Sequence, residues 1–386
     1  MVKKATYAPQ KIGLTLSGGG ARGAYQAGVL RAIYQITNLK QCPFQVICGV
    51  SAGALNAMAI ASRTEDFKEA TQRINDTWLN LTMDKIFKTD SLTALSTALM
   101  WITDLTLGEY LPTKKVNHLL DTSPLRELLK ENLNTVNIQK NIKNGHLHGV
   151  ALSATDYRSG KCVTFFDGSK AIKEWDRYSG IGRRAQLSID HMMASSAIPI
   201  FFPPVQIDQS DYGDGGIGQS SALSPVLRLG ADKILAIGLE HPPGNEETES
   251  IKSLAPLTLS DITSTLFSNL FLKSMRGDVM RLKQTNRLMS FLTPEEIRSD
   301  GLAMRKVPAL FITPSVDLGK IEVNQFSKFP FALRRVLKGL GFTDRRAWDL
   351  LSYLAFDSCY AKALLNLGYK DGMAREAEIL EFLELV

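Results

Sequence analysis

The five residues Gly49-Val50-Ser51-Ala52-Gly53 place a serine between two glycines in the pattern G-x-S-x-G. A serine hydroxyl becomes a nucleophile when a sharp turn lifts it clear of the sheet and a base takes its proton. Glycines on both sides leave room for a substrate. A helix starting just after the serine aims its free N–H groups where an oxyanion would form. A tight turn whose serine merely caps a helix reads the same way, so the flanking segments matter. Before the motif, Phe44-Gln45-Val46-Ile47-Cys48 is short, apolar and β-prone. After it, Ala54 to Ser62 is rich in alanine, with Leu55, Met58 and Ile60, and suits a helix. Strand, turn and helix form the setting of a nucleophile elbow.

A second glycine-rich turn lies upstream. Lys11 to Leu16 alternates like a strand and runs into Ser17-Gly18-Gly19-Gly20-Ala21-Arg22-Gly23. Apolar residues at Ala27, Leu30, Ile33 and Tyr34 then keep helical spacing. Gly18, Gly20 and Gly23 also match G-x-G-x-x-G, a dinucleotide fingerprint. That site needs an acid about 20 residues further on for the ribose hydroxyl; the first acidic residue of this chain is Glu65. A P-loop would need Gly-Lys-Ser/Thr after the glycines, and none follows. What remains is a row of backbone N–H groups that an anion can approach. Beside a serine nucleophile, that anion is the tetrahedral intermediate of acyl transfer.

Downstream, a strand at Val205–Ile207 leads to Tyr212-Gly213-Asp214-Gly215-Gly216. An aspartate among three glycines is expected to be uncrowded and able to approach a reacting group. An ordinary Asp-Gly β-turn has the same sequence. The histidines are His118, His146, His148, His191 and His241. In the order nucleophile, acid, histidine, only His241 follows Asp214. A Ser51–His241 esterase or thioesterase is therefore the competing chemistry.

The rest of the chain must position these groups. Residues 64–145 read as mostly helical, with Ser123 as an N-cap, Pro124 at the first helical position, and Leu125, Leu128, Leu129 and Leu133 as the buried stripe. His148 to Thr155 and Cys162 to Phe166 read as strands about a turn at Arg158-Ser159-Gly160-Lys161. A short helix over Ile189 to Ala197 stops at Pro199. Leu223 to Leu229 reads as a helix ended by Gly230, and Lys233 to Leu239 as a strand. Pro242 to Ser253 has linker composition. Leu257 to Leu292 is long, helical, apolar and then basic, which suits packing on the body or lying on lipid. Leu92 to Leu111 is apolar and suits either core or a cover over a lipid-binding mouth. Pro308 to Ser315 is a last strand, and residues 326–386 read as helical.

The 386 residues are 44% hydrophobic and 22% charged, the makeup of an ordinary globular protein. A net charge of +6 favours anionic surfaces. Lipid headgroups are preferred over nucleic acid, because no dense Lys/Arg block with interleaved aromatics occurs. Cys42, Cys48, Cys162 and Cys359 lack C-x-x-C spacing and paired histidines, so no zinc site is expected. They read as reduced, buried thiols of a cytoplasmic protein. Met1-Val2-Lys3-Lys4 is not followed by the apolar core of a signal peptide. The uncharged stretch Ser91 to Thr103 is well short of the ~20 residues of a membrane span. Membrane contact is therefore expected to be peripheral, at the inner face.

In their order and spacing, Gly18-Gly19-Gly20-Ala21-Arg22-Gly23, Gly49-Val50-Ser51-Ala52-Gly53 and Asp214-Gly215-Gly216 resemble the patatin-like phospholipases. Ala194-Ser195-Ser196-Ala197-Ile198-Pro199 and Leu229-Gly230-Ala231-Asp232 are similar to that family as well. The resemblance covers roughly Lys11 to Leu239. It implies a three-layer α/β/α fold with a mostly parallel central sheet. Residues 8–241 would form the catalytic domain. Residues 242–386 would form a mostly helical C-terminal extension with one strand, packed on that domain.

The resemblance further implies a dyad, with Ser51 as nucleophile and Asp214 as base. Gly18, Gly19, Gly20, Arg22 and Gly23 would form the oxyanion loop, the N–H groups of Gly19 and Gly20 donating and Arg22 bracing. Gly49 and Gly53 would flank the elbow, and Gly215 and Gly216 would complete the Asp-Gly-Gly motif. The expected substrate is a phospholipid, lysophospholipid or other acyl-ester lipid, with no metal, cofactor or nucleic acid and with the oligomeric state open. Ser220 and Ala222 stand where the family commonly has Asn and Pro. The competing class is a non-catalytic membrane-associated protein that keeps the fold.

Overall fold

The computed structural model describes residues 10–89, 117–177, 180–242, 273–293, 305–321 and 348–385, with a few single positions between them. The alternating run upstream of the glycine loop becomes β1 (Ile12–Leu16), and the helical spacing beyond it becomes α1 (Ala24–Thr37). β2 (Val46–Val50), α2 (Ala52–Ala61) and α3 (Phe67–Leu79) follow. α4 (Ser123–Asn132) and α5 (Thr135–Lys143) lead into β3 (Gly149–Asp156) and β4 (Cys162–Gly168). Next come β5 (Trp175–Arg177), β6 (Gly180–Arg184), α6 (Ile189–Ser195), β7 (Val205–Ile207) and β8 (Ser210–Asp214). α7 (Ser224–Arg228), β9 (Lys233–Ile237), α8 (Lys273–Met289) and β10 (Ala309–Ile312) precede α9 (Trp348–Leu354), α10 (Ser358–Met373) and α11 (Glu376–Leu383).

One sheet runs in the order β10-β9-β1-β2-β3-β4-β6-β5, with β8 paired to β3 and β7 to β8. Every pairing from β10 to β3 is parallel. Parallel neighbours need crossovers, and these put helices on both faces. The two-residue period divides each central strand between two cores. Leu14, Leu16, Ile47, Leu235 and Ile237 join the core that holds Leu30, Ile33, Ala57, Ile60 and Ile74 of α1, α2 and α3. Val46, Cys48, Ile234 and Ala236 join a second core with Val226 of α7 and Met275 and Val279 of α8. Helices, sheet and helices make three layers. From β1 the chain moves outward to β2 and β3, then returns on the other side of β1 to β9 and β10. Such a reversal opens a crevice at the carboxyl ends of the strands. The glycine loop leaves β1, and the elbow leaves β2, at that end.

The last third enters the same core. β10 extends the sheet beside β9, and Leu364 and Leu365 of α10 pack with Leu30 and Ile33 of α1. The Tyr25 hydroxyl donates to Asp371 Oδ2 at 3.0 Å.

Several local expectations are corrected. Thr122, and not Ser123, is the N-cap of α4. The Asp121 carboxylate accepts from the Ser123 N–H at 2.8 Å and so organises the turn that the serine was expected to organise. β2 begins two residues later than the apolar run and absorbs Gly49 and Val50. β5 and β6 carry little apolar alternation and form at the sheet edge through pairing alone. Cys42, Cys48 and Cys162 are buried, but Cys359 is exposed. The stretches Leu92 to Leu111 and 243–253, and most of Leu257 to Leu292 before residue 273, lie outside the described residues.

Candidate active site

Ser51 follows the last residue of β2 and precedes the first of α2. Its backbone sits at φ 54°, ψ −126°, a region that side chains with a Cβ rarely adopt. Glycine is required on either side because the chain doubles back on itself. A Cβ at Gly49 would lie 2.2 Å from the Gly53 carbonyl oxygen, and one at Gly53 would lie 2.3 Å from that of Leu16. Strain of this kind, about 1–3 kcal/mol, persists only where surrounding bonds fix it. Here α6 and the turn after it supply those bonds. The Ser51 N–H donates to Ser195 Oγ at 3.1 Å, and Ser195 Oγ donates in turn to the Ser153 carbonyl at 2.7 Å. Ser196 Oγ donates to the Ser51 carbonyl at 3.3 Å.

Strand register brings Asp214 to the same place. Val50 pairs with Ser153 and Asp214 with Ala154 along the same edge of β3, the other edge being taken by β4. The ends of β2 and β8 therefore meet beside adjacent residues of one strand. The Asp214 N–H donates to the Ala197 carbonyl at 2.9 Å, and Thr155 Oγ1 donates to the Asp214 carbonyl at 2.7 Å. The segment Ser195 to Ala197 thus holds both Ser51 and Asp214.

Asp214 is not an open turn residue. It is 0% exposed, and its flanking glycines are filled by neighbours: a Cβ at Gly213 would meet the Tyr157 hydroxyl at 2.1 Å, and one at Gly215 the Ser153 carbonyl oxygen at 2.1 Å. The glycines let the surroundings close on the carboxylate instead of leaving it uncrowded. Burial pushes its pKa up to about 7, with the Ser51 hydroxyl and the Gly216 N–H offsetting part of the rise. The Gly216 N–H donates to Oδ1 at 2.9 Å. The Ser51 hydroxyl is close enough to stabilise the carboxylate but does not close a full hydrogen bond. Asp214 Oδ2 is buried without a partner among the described residues. Catalytic hydrogen bonds are often long in free enzymes and tighten with substrate.

The glycine loop lies against the elbow. A Cβ at Gly18 would come within 3.1 Å of the Ser51 Cβ. Gly20 to Gly23 form a 3₁₀ turn, closed by the Arg22 N–H donating to the Gly19 carbonyl at 3.1 Å. Among the described residues, nothing accepts from the N–H groups of Gly19 and Gly20. The Arg22 side chain is 1% exposed and reaches α9. Beneath the loop runs a buried polar chain. Trp78 Nε1 donates to Asn56 Oδ1 at 2.8 Å; Asn56 Nδ2 donates to the Gly23 carbonyl and to Gln26 Oε1, each at 3.0 Å. Gln26 Nε2 donates to the Ser17 carbonyl at 2.8 Å. Neither this chain nor the roles of Ser195 and Ser196 is visible in the sequence. The only signal is a polar residue on a helix face that is otherwise apolar.

None of the five histidines hydrogen-bonds Ser51 or Asp214 among the described residues. His241 Nδ1 is taken by the Pro314 carbonyl at 3.1 Å. His191 caps α6 through Ser188 and sits edge-on to Phe165, with burial lowering its pKa.

A family model described as Patatin-like phospholipase matches residues 14–227. A Pseudomonas aeruginosa protein named cGAMP-activated phospholipase is 27% identical over 206 residues, which cover 53% of this chain and 52% of that one. The chain thus spans about half the length of that curated relative. Among solved structures, human GIVD cytosolic phospholipase A2 in complex with methyl gamma-linolenyl fluorophosphonate aligns with TM-score 0.43 and 13% identity over 97% of this chain and 59% of that one. VipD from Legionella pneumophila aligns with TM-score 0.35 and 13% identity over 96% and 67%.

Proposed function

The chain belongs to the patatin-like phospholipase family, and we propose that it hydrolyses fatty acyl esters of phospholipids or lysophospholipids through a Ser51–Asp214 dyad. One observation carries the reading: a serine held in a strained elbow and a buried aspartate with a vacant acceptor oxygen are anchored by the same three-residue segment. In the reaction, Asp214 takes the proton from Ser51 as the hydroxyl oxygen bonds to the ester carbonyl carbon. The carbonyl oxygen becomes an oxyanion and is held by the N–H groups of Gly19 and Gly20. Collapse breaks the ester bond, the leaving alcohol regains the proton from Asp214, and the acyl group stays on Ser51. Water, deprotonated by Asp214, then releases the fatty acid and restores both groups.

The same reading divides the chain into a catalytic unit, residues 8–241, and a C-terminal extension, residues 242–386, that completes its core. It also makes membrane contact peripheral: no helix among the described residues is long and apolar enough to cross a membrane, and the net charge is +6. α8 exposes Met280 and Leu288 together with Arg281, Lys283 and Arg287. Its C-terminal half is pinned by Asn286 to Val307, just before β10. Val307 precedes the amino end of β10, whereas Ser51 follows the carboxyl end of β2, so the tie at Asn286 lies at the opposite end of the parallel strands from the site.

Vesicles of mixed phosphatidylglycerol and phosphatidylcholine test the proposal. Free fatty acid should appear, with lysolipid in no more than equal amount, and the rate should fall as salt shortens the ~10 Å screening length of 0.1 M solution. Release of a phosphorylated headgroup in place of fatty acid would overturn the ester assignment. Changing each histidine to Gln, one at a time, should leave the rate within about tenfold of wild type, since general-base catalysis contributes about 10²–10⁴-fold when present. A His241→Gln variant as inactive as Ser51→Ala, both folded, would replace the dyad with a Ser–His mechanism.

A further inference from the structure

The loop that would hold the oxyanion is completed by residues from the far end of the chain. Arg22 Nε donates to Ser352 Oγ at 2.8 Å, across 330 residues of sequence. The Arg22 guanidinium lies over the Tyr353 ring, 4.5 Å from its centroid, a cation–π geometry. Ser352 and Tyr353 are both buried. The backbones touch as well. Gly20 has φ +55°, and a Cβ there would lie 2.2 Å from the Tyr353 carbonyl oxygen. α9 therefore meets the loop twice, once at the Gly20 backbone and once through the Arg22 side chain. α10 then packs along α1, the helix that the loop opens into, and Tyr25 at its start is tied to Asp371.

We propose that Ser352 and Tyr353 are positioning residues for acyl transfer: by holding the Arg22 side chain they fix the height and tilt of the Gly19 and Gly20 N–H groups over Ser51. The path is short. Arg22 is anchored at its side chain by α9, and its own N–H closes the turn on the Gly19 carbonyl at 3.1 Å. A shift of the guanidinium therefore rotates the peptide units whose N–H groups point at the oxyanion. Those donors act only when they are already aimed at the developing charge, and a misplacement near 1 Å costs about 10²-fold in rate. Neither Ser352 nor Tyr353 touches the reacting atoms; their side chains act through Arg22, while the Tyr353 backbone packs directly on Gly20.

The inference rests on the glycine loop being the oxyanion site, and the test separates the two. kcat and KM are measured on para-nitrophenyl butyrate for Ser352→Ala, Ser352→Thr, Tyr353→Leu and Tyr353→Phe. Ser352→Ala and Tyr353→Leu should lower kcat about 10–100-fold with KM within about threefold. Ser352→Thr keeps a hydroxyl and Tyr353→Phe keeps the ring, so both should remain within about threefold of wild type. Combining Ser352→Ala with Arg22→Lys should cost no more than Arg22→Lys alone, because the serine acts through the arginine. Additive losses, or Tyr353→Phe falling as far as Tyr353→Leu, would overturn the positioning role and leave ordinary core packing.

Amide hydrogen exchange across residues 18–23 provides a readout independent of chemistry. Exchange should quicken in Ser352→Ala and stay as wild type in Ser352→Thr. Unchanged exchange in Ser352→Ala overturns the proposal even if the esterase reading stands. Faster exchange in a protein whose Ser51→Ala variant keeps wild-type turnover supports the buttress and overturns the esterase reading instead.

Discussion

Ser51→Ala is expected to lower fatty acid release at least ~10⁴-fold while the protein folds as before, since a missing nucleophile in a cooperating set removes nearly the whole rate enhancement. The fold should survive because the bonds that hold this residue are backbone bonds. Its N–H goes to Ser195 Oγ, and its carbonyl accepts from Ser196 Oγ and the Ala54 N–H. None of them needs the side-chain oxygen. A fluorophosphonate should add one probe mass to the wild-type chain and none to the variant. The strain at φ 54° adds a second, opposite-signed effect. Ser51→Gly is expected to be as inactive as Ser51→Ala yet more stable than it by about 1 kcal/mol, because glycine enters this region freely. A serine that exists only to cap a helix would show the stability change without the loss of turnover. Turnover by purified Ser51→Ala within tenfold of wild type would end the nucleophile assignment.

What the sequence could disclose followed from local physics. Strand, loop and helix around Gly18 to Gly23 and around Ser51 are each written within one short run, Ile12 to Thr37 and Val46 to Ala61, by alternation, by glycine and by helical spacing. Even the parallel sheet is implied, since strands separated by helices must cross over. The contacts that join these pieces are not local. Ser195 is an ordinary polar residue in a short helix until β2 and β3 are laid side by side. Asn56 looks like an interruption of an alanine-rich helix until Trp78 and Gln26 close on it. Arg22 carries no mark of its partner 330 residues away. The Asp-Gly-Gly motif was legible as a motif but misleading as geometry. Glycine permits open space and close packing equally, and only the fold shows that here Tyr157 and Ser153 fill the space.

Asp214→Asn is expected to abolish turnover and at the same time make the protein more stable above neutral pH. Asn keeps the shape, and its side-chain carbonyl oxygen can still accept from the Gly216 N–H, but the amide cannot take up the Ser51 proton. The stability effect follows from burial. The folded carboxyl has its pKa pushed up to about 7, while in the unfolded chain it titrates near 3.9. Below about pH 4 both states hold the proton, and Asp214 costs nothing through ionisation. Between about 4 and about 7 the unfolded chain has released the proton and the folded protein has not, so the unfolded state binds fewer protons and stability falls as pH rises. Above about 7 the cost levels off, with a ceiling of about 4 kcal/mol. Asp214→Asn removes this term, so denaturant midpoints of variant and wild type should converge near pH 4 and separate by pH 8, the variant being the more stable. Activity runs the other way. The base must be ionised, so wild-type kcat/KM should rise with pH through about 7 and flatten above it. A variant that loses turnover but gains no stability at pH 8 would mean that the aspartate is already ionised and paired in the folded protein. An acid limb near 4 in the wild-type rate profile would say the same, and the buried, half-protonated base would have to be given up.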